Sequence, residues 1–269
     1  MNETHLSGVI IPFNNKVLAE YFAQLSLAVT ECILLERMVS VLACVGASMN
    51  NELTAQIVPF DSVKPKLSQQ AEISGPPNFN FEIVRTFQDA TDMFIQTSHS
   101  PCDDQKQWVT MSLTRMKNDG GTSVRHQVTS IVRAQNASRN CVSGGMRDIC
   151  DLDQTEANKE IVSDFIESIL VKKQVERLGA FMPWGRFVGH NPLMGKGRRG
   201  FAEFIEAETS REKPMKYHGV EDLVGKGNFV AVFGNVSFRG KAYKAADLFR
   251  LDKGQILEHW DVAEQLDEI

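Results

Sequence analysis

The chain has 269 residues, of which 42% are hydrophobic and 23% charged, and its formal net charge is −5. That length suits one large or two small domains, each able to bury a core, and the acidic balance argues against general nucleic-acid binding, which needs a basic surface. No run of about 20 apolar residues marks a membrane span, and the opening stretch MNETHLSGVIIPFNN lacks the basic start and long apolar core of a signal peptide.

Taken from the N-terminus, residues 16–47 are apolar at helical spacing, through Leu18, Phe22, Leu25, Val29 and Ile33 to Val45. Residues 53–70 read as a strand, a turn and a short helix. Three segments then read as successive β structure: 78–99, 106–121 and 122–135. The five cysteines (Cys32, Cys44, Cys102, Cys141 and Cys150) are odd in number and form no Cys-x-x-Cys. This suits free thiols in a reducing cytoplasm, the expected location, and not a metal site. A polar, Gly-containing linker at about 140–155 separates two expected domains, 1–143 and 154–269.

The second half opens with a helix-start pattern, Asp153 followed by Glu156. Ile161, Val162, Phe165, Ile166, Ile169 and Leu170 recur at helical spacing until Gly179 and Pro183. The stretch 184–192 reads as a short strand or turn. Phe201, Phe204 and Ile205 make a second short helix, stopped by Pro214. Strands follow at about 216–223, 228–238, 243–251 and 255–266. Helices followed by an antiparallel meander define an α+β class.

The last two strands carry ionisable groups where apolar ones are expected. Side chains alternate between faces of a strand, so Leu257, His259, Asp261 and Ala263 share a face, as do Ala245, Asp247, Phe249 and Leu251. A three-residue loop Asp252-Lys253-Gly254 pairs Leu251 with Gln255 and sets Asp247 opposite His259. Two carboxylates and an imidazole then converge among apolar groups, an environment that raises carboxylate pKa values and favours acid–base work. A solvated cross-strand pair would leave the same pattern.

The sequence ADLFRLDKGQILEHWDV (246–262) resembles the C-terminal signature of SnoaL-like polyketide cyclases, in the nuclear-transport-factor-two-like superfamily. Gly189-His190-Asn191-Pro192 and the following MGKGRRGFAEFIEAE resemble the family's His-Asn-Pro, Gly-rich turn and Phe-containing helix. The resemblance covers about residues 155–267. It implies a curved antiparallel sheet wrapped on helices in a cone-like α+β barrel, with a pocket between them. It also implies a cofactor-independent intramolecular aldol-type ring closure, with Asp261 as general acid/base. Asp247 and His259 would be its partners, and His190, Trp184, Phe249 and Leu257 would meet a small hydrophobic substrate. The rival expectation is a non-catalytic ligand-binding or assembly module on the same scaffold. An epoxide hydrolase would need an Asp–Arg–Asp set, and Arg250 alternates away from Asp247.

The element order of the first half matches that of the second, which suggests a tandem, degenerate copy. Leu113-Thr114-Arg115 falls where Leu248-Phe249-Arg250 falls, and Arg125-His126-Gln127-Val128 parallels Glu258-His259-Trp260-Asp261. Ser112 or a neighbour and Val128 would then replace the two aspartates. Gly195-x-Gly197-x-x-Gly200 matches a dinucleotide fingerprint, but no βαβ unit surrounds it, so no cofactor, metal, nucleic-acid or membrane partner is expected. Trp260, Val262, Leu248 and Ile256 alternate onto the face away from the pocket. That apolar face calls for a cover, either a second copy of the chain in a homodimer or the first half in an internal pseudo-dimer.

Overall fold

In the computed structural model, residues 79–101, 107–117, 121–132 and 137–266 are described. The helical region expected over 16–47 and the strand–turn–helix over 53–70 lie outside them. Pro76–Ile269 forms one compact unit. Among the described residues no helix is long and apolar enough to cross a membrane.

Two antiparallel meanders make up most of this unit. The first runs β1 (Phe79–Asp89), β2 (Asp92–Pro101), β3 (Gln107–Met116) and β4 (Thr122–Val132), paired in that order. Next come α1 (Thr155–Phe165), continued by a wider π turn over Ile166–Val171, the single-turn α2 (Leu178–Phe181), the two-residue strand β5 (Val188–Gly189), and α3 (Gly197–Thr209). The second meander is β6 (Lys216–Lys226), β7 (Phe229–Phe238), β8 (Lys241–Asp252) and β9 (Gln255–Gln265). Its sheet has the order β5-β9-β8-β7-β6, with β5 parallel to β9. The C-terminal part is therefore α+β, a curved antiparallel sheet wrapped on helices.

Strict alternation on β7 explains how this sheet serves two cores. Val230 and Val232 point to the helices, joining Val162, Phe165, Ile169, Phe201, Phe249 and Leu251. Phe229, Ala231 and Phe233 point the other way, joining Ala246, Leu248, Trp260 and Val262 against Phe87, Phe94, Met111, Leu113 and Val128 of the first sheet. Removing that much apolar surface from water, at about 25 cal/mol per Å², is the main force holding the sheets together. Lys159–Asp89 at 3.0 Å and Arg125–Asp222 add ion pairs between the parts.

The β8–β9 register differs from the expected one. The turn holds two residues, Lys253 (φ 50°) and Gly254 (φ 73°), and pairs Asp252 with Gln255. Both positive φ values fit the tight turn that matches strand twist. A bulge then shifts the register between Arg250 and Leu251, with Leu257 the extra residue. Asp247 consequently lies opposite Asp261, and Phe249 opposite His259. The bulge also turns Ile256 into the helix-side core, whereas Leu248, Trp260 and Val262 take the sheet-side face as expected.

The Gly-rich turn before α3 has a packing cause. A Cβ on Gly200 would sit 2.1 Å from the backbone carbon of Gly195, so the turn and the helix cross at van der Waals distance only because Gly200 has no side chain.

Candidate active site

β8 and β9 bring Asp247, His259 and Asp261 together on the helix side of the sheet. His259 Nε2 lies 2.8 Å from Asp247 Oδ1. Tyr217, from β6, donates its hydroxyl to Asp247 Oδ2 at 3.2 Å. Asn191, just after β5, donates its side-chain amide to Asp261 Oδ2. Phe249 stacks on the His259 ring with centroids 4.7 Å apart, and Phe201 meets the ring edge-on.

Asp247, His259, Asp261, Tyr217, Asn191 and Phe201 line a cavity of about 370 Å³. Its walls are apolar, with Leu170, Met194, Phe201, Ile205, Met215, Val236 and Phe238 among them. Exposed Leu193 and Ala263, with half-buried Tyr243 and Ser130, mark its open end, while buried Asp247 and His259 mark its floor. None of the described lining residues is lysine or arginine.

Two atoms on this floor stand out. Asp261 Oδ1 and His259 Nδ1 are shielded from solvent and carry no hydrogen bond. A buried polar atom without a partner costs free energy unless something fills its valence in use. Burial is the largest influence on Asp261 and pushes its carboxyl up to about 6. The nearby Asp247 charge adds to this, while His259, the Asn191 hydrogen bond and His190 offset part of it. For His259, burial is again the largest influence and pulls downward. The Asp247 hydrogen bond and the charges of Asp261 and Asp247 outweigh it, so the imidazole is raised above its usual 6.5. Tyr217 is raised well above 10, first by burial and then by Asp247. The site thus holds a poorly solvated base beside an imidazole that favours its protonated form.

The other expected pocket residues lie elsewhere. His190 sits on the opposite face of β9, stacked on Trp260 at 4.6 Å, with Nδ1 2.7 Å from Cys141 O and Nε2 3.3 Å from Glu258 Oε2. Arg85 covers the Trp260 ring at 4.1 Å and bonds to Gly144 O, which also accepts the Trp260 indole N–H at 2.9 Å. Gly145 (φ 91°) belongs to this seat, for a Cβ there would lie 2.1 Å from Glu258 Oε2. Trp184 is 71% exposed, beneath the Arg198 guanidinium, and does not line the cavity. Leu257, the bulge residue, is buried away from it, and Phe249 supports His259 from below. Arg250 bonds Glu258 Oε1 at 2.6 Å on the far face.

Asn191 and Tyr217 were not singled out from sequence. Asn191 lies inside the His-Asn-Pro, next to His190. Tyr217 stands between Lys216 and His218, and alternation alone would have turned it inward.

No family model and no curated protein matches this chain. Solved structures similar to part of it include an LEH-like epoxide hydrolase of M. tuberculosis, 15% identical, covering 41% of this chain and 85% of that one with a TM-score of 0.35. An NTF2-like protein of unknown function from Cytophaga hutchinsonii is 19% identical, covering 45% and 95% with a TM-score of 0.34. A SnoaL-like polyketide cyclase of Agrobacterium tumefaciens is 14% identical, covering 40% and 91% with a TM-score of 0.33.

Proposed function

We propose that the C-terminal cavity carries out cofactor-independent proton transfer on a small hydrophobic carbonyl compound, of the cyclase or isomerase type, with Asp261 as general acid/base. The observation that carries this reading is the unpartnered, solvent-shielded Asp261 Oδ1 in an apolar cavity, on a carboxyl raised to about 6. A carboxylate in that setting is a stronger base than one in water and can return the proton it takes.

The step balances within the substrate. Ionised Asp261 takes a proton from a carbon beside a carbonyl. The C–H electron pair moves into the carbonyl and leaves an enolate. Protonated His259, held by Asp247, places a positive charge beside that developing anion. In ring closure the enolate carbon bonds to a second carbonyl carbon, and protonated Asp261 gives its proton to the new alkoxide. In isomerisation the proton returns to a different carbon. The resemblance of residues 155–267 to SnoaL-like cyclases supports the first form. The placement of Arg250 on the opposite face weighs against the Asp–Arg–Asp hydrolase set.

The β1–β4 sheet acts as an internal partner that covers the outer face of the C-terminal sheet, in place of a second subunit. The burial of Trp260 and Val262 against it supports that reading.

β-Tetralone, an apolar ketone with acidic α-hydrogens, provides the test. The protein is expected to speed deuterium uptake from heavy water into the α-position, and Asp261→Asn to lose that acceleration. Binding of β-tetralone with no acceleration would favour a ligand-binding module instead.

A further inference from the structure

We infer that Ser130, supplied by the β1–β4 sheet, is a positioning residue for the Asp261 carboxylate and a wall of the cavity's open end, so that this sheet completes the site in cis.

The outer edge of β9 shows why. β5 covers only its Glu258 and His259 positions. Beyond them the Asn191 side chain reaches the Asp261 carboxylate. Then the Ser130 hydroxyl takes the place of a neighbouring strand: its oxygen accepts the Ala263 N–H at 2.7 Å and donates to the Ala263 carbonyl at 2.8 Å. Thr129 N–H donates to Glu264 Oε2 at 3.0 Å alongside it. Trp260 and Val262, the residues on either side of Asp261, are seated in the core shared with the first sheet, where Val128 joins them. Asp261 itself points the other way, into the cavity that Ser130 also lines.

An edge residue with both backbone groups unpaired takes water and opens locally. At Ala263, two residues from Asp261, that opening would admit water to the carboxylate whose raised pKa comes first from burial. The groups facing Asp261 are Asp247 from β8, His259 from β9 itself and Asn191 after β5, with Tyr217 of β6 acting through Asp247 and His190 acting at a distance from the opposite face of β9. Ser130 is neutral, so its removal changes none of these charges. Any change in Asp261's titration would come from position and water.

The inference rests on the proposed role of Asp261, and the test separates the two. The full chain, carrying carbon-13 in its aspartate carboxyls, is titrated by NMR as wild type, Ser130→Ala, Ser130→Thr and Ser130→Cys, with Asp261 assigned by its missing signal in Asp261→Asn. In Ser130→Ala the Asp261 midpoint is expected to fall from about 6 toward the ordinary carboxylate range, and the Ala263 amide to exchange faster. Ser130→Thr, which keeps the hydroxyl, restores both. Faster Ala263 exchange with an unmoved Asp261 midpoint would mean that Ser130 is only a strap, and would overturn the inference. If Ser130→Ala does not fold, Ser130→Cys, close in size with a weak hydrogen-bonding group, decides on the same comparison. A wild-type midpoint near about 4 would contradict the base assignment instead.

Discussion

Each sheet contains a four-strand antiparallel meander, and the two place different groups at the cross-strand position beside the inter-sheet leucine. In the C-terminal sheet Asp247 lies opposite Asp261, next to Leu248 in the inter-sheet core. In the N-terminal sheet Ser112 lies opposite Gln127, next to Leu113 in the same core. A neutral hydroxyl–amide pair carries no charge out of water, whereas two carboxylates there need an imidazole, a tyrosine and an asparagine around them. Strand geometry alone does not make a site. The difference lies in the groups gathered to hold a charge.

The strand pairing differs by one residue from the parallel expected in the sequence. His126 pairs with Leu113 as Trp260 pairs with Leu248. It accordingly faces the other sheet, stacked on Phe233 at 5.0 Å and bonded to Asp222 at 2.5 Å. In this pairing His126 stands as Trp260 does and not as His259 does. Gln127, not Val128, takes the place of Asp261, and Val128 joins the inter-sheet core.

The sharpest way to break the contrast is to make the second sheet resemble the first. Asp261→Asn should lower catalysed deuterium uptake into β-tetralone by about a hundredfold or more, the usual worth of a positioned base. Next in size, Trp260→Ala empties the seat between Arg85 and His190 in the inter-sheet core. It should cost about 3–5 kcal/mol in urea unfolding, and a cost below about 1 kcal/mol would mean that the sheets do not depend on this contact.

Asp247→Asn acts through His259. The folded-state pKa of His259 lies above its unfolded value, so the stabilisation is complete below about 6.5 and is lost as pH rises through the folded value. Wild type should therefore exceed Asp247→Asn in stability at pH of about 5.5 by more than at about 8.5. A gap that grows with pH would reverse the assigned sign. Trp184→Ala should do least. This side chain is 71% exposed, so the change should alter stability by less than about 0.5 kcal/mol and leave β-tetralone exchange unchanged.

Much of the architecture was legible in the sequence because alternation and turn residues are local signals. The four C-terminal strands and the Phe201–Ile205 helix lie where the periodicity put them, and the three β segments of the first half are β structure, but the first of them, 78–99, is a hairpin of two strands turning at Ala90–Thr91. Asp247, His259 and Asp261 do share a face. Their pairing did not follow, because a two-residue turn and a bulge at Leu257 together shift the register. Polar alternation marks neither device. His190 and Trp184 were misplaced for a different reason. An aromatic or imidazole ring near a turn carries no sign of which side of the sheet it will take, and the Gly144–Gly145 crossing that seats His190 and Trp260 is a long-range contact.

The most direct test is the pH dependence of catalysed deuterium uptake into β-tetralone. A base raised to about 6 by burial is protonated below that pH, so the rate should rise through about 6. It should fall again above 6.5 as His259 loses its proton, and the acid limb should vanish in Asp261→Asn. An acid limb at the ordinary carboxylate value of about 4, or one that persists unchanged in Asp261→Asn, would contradict the account.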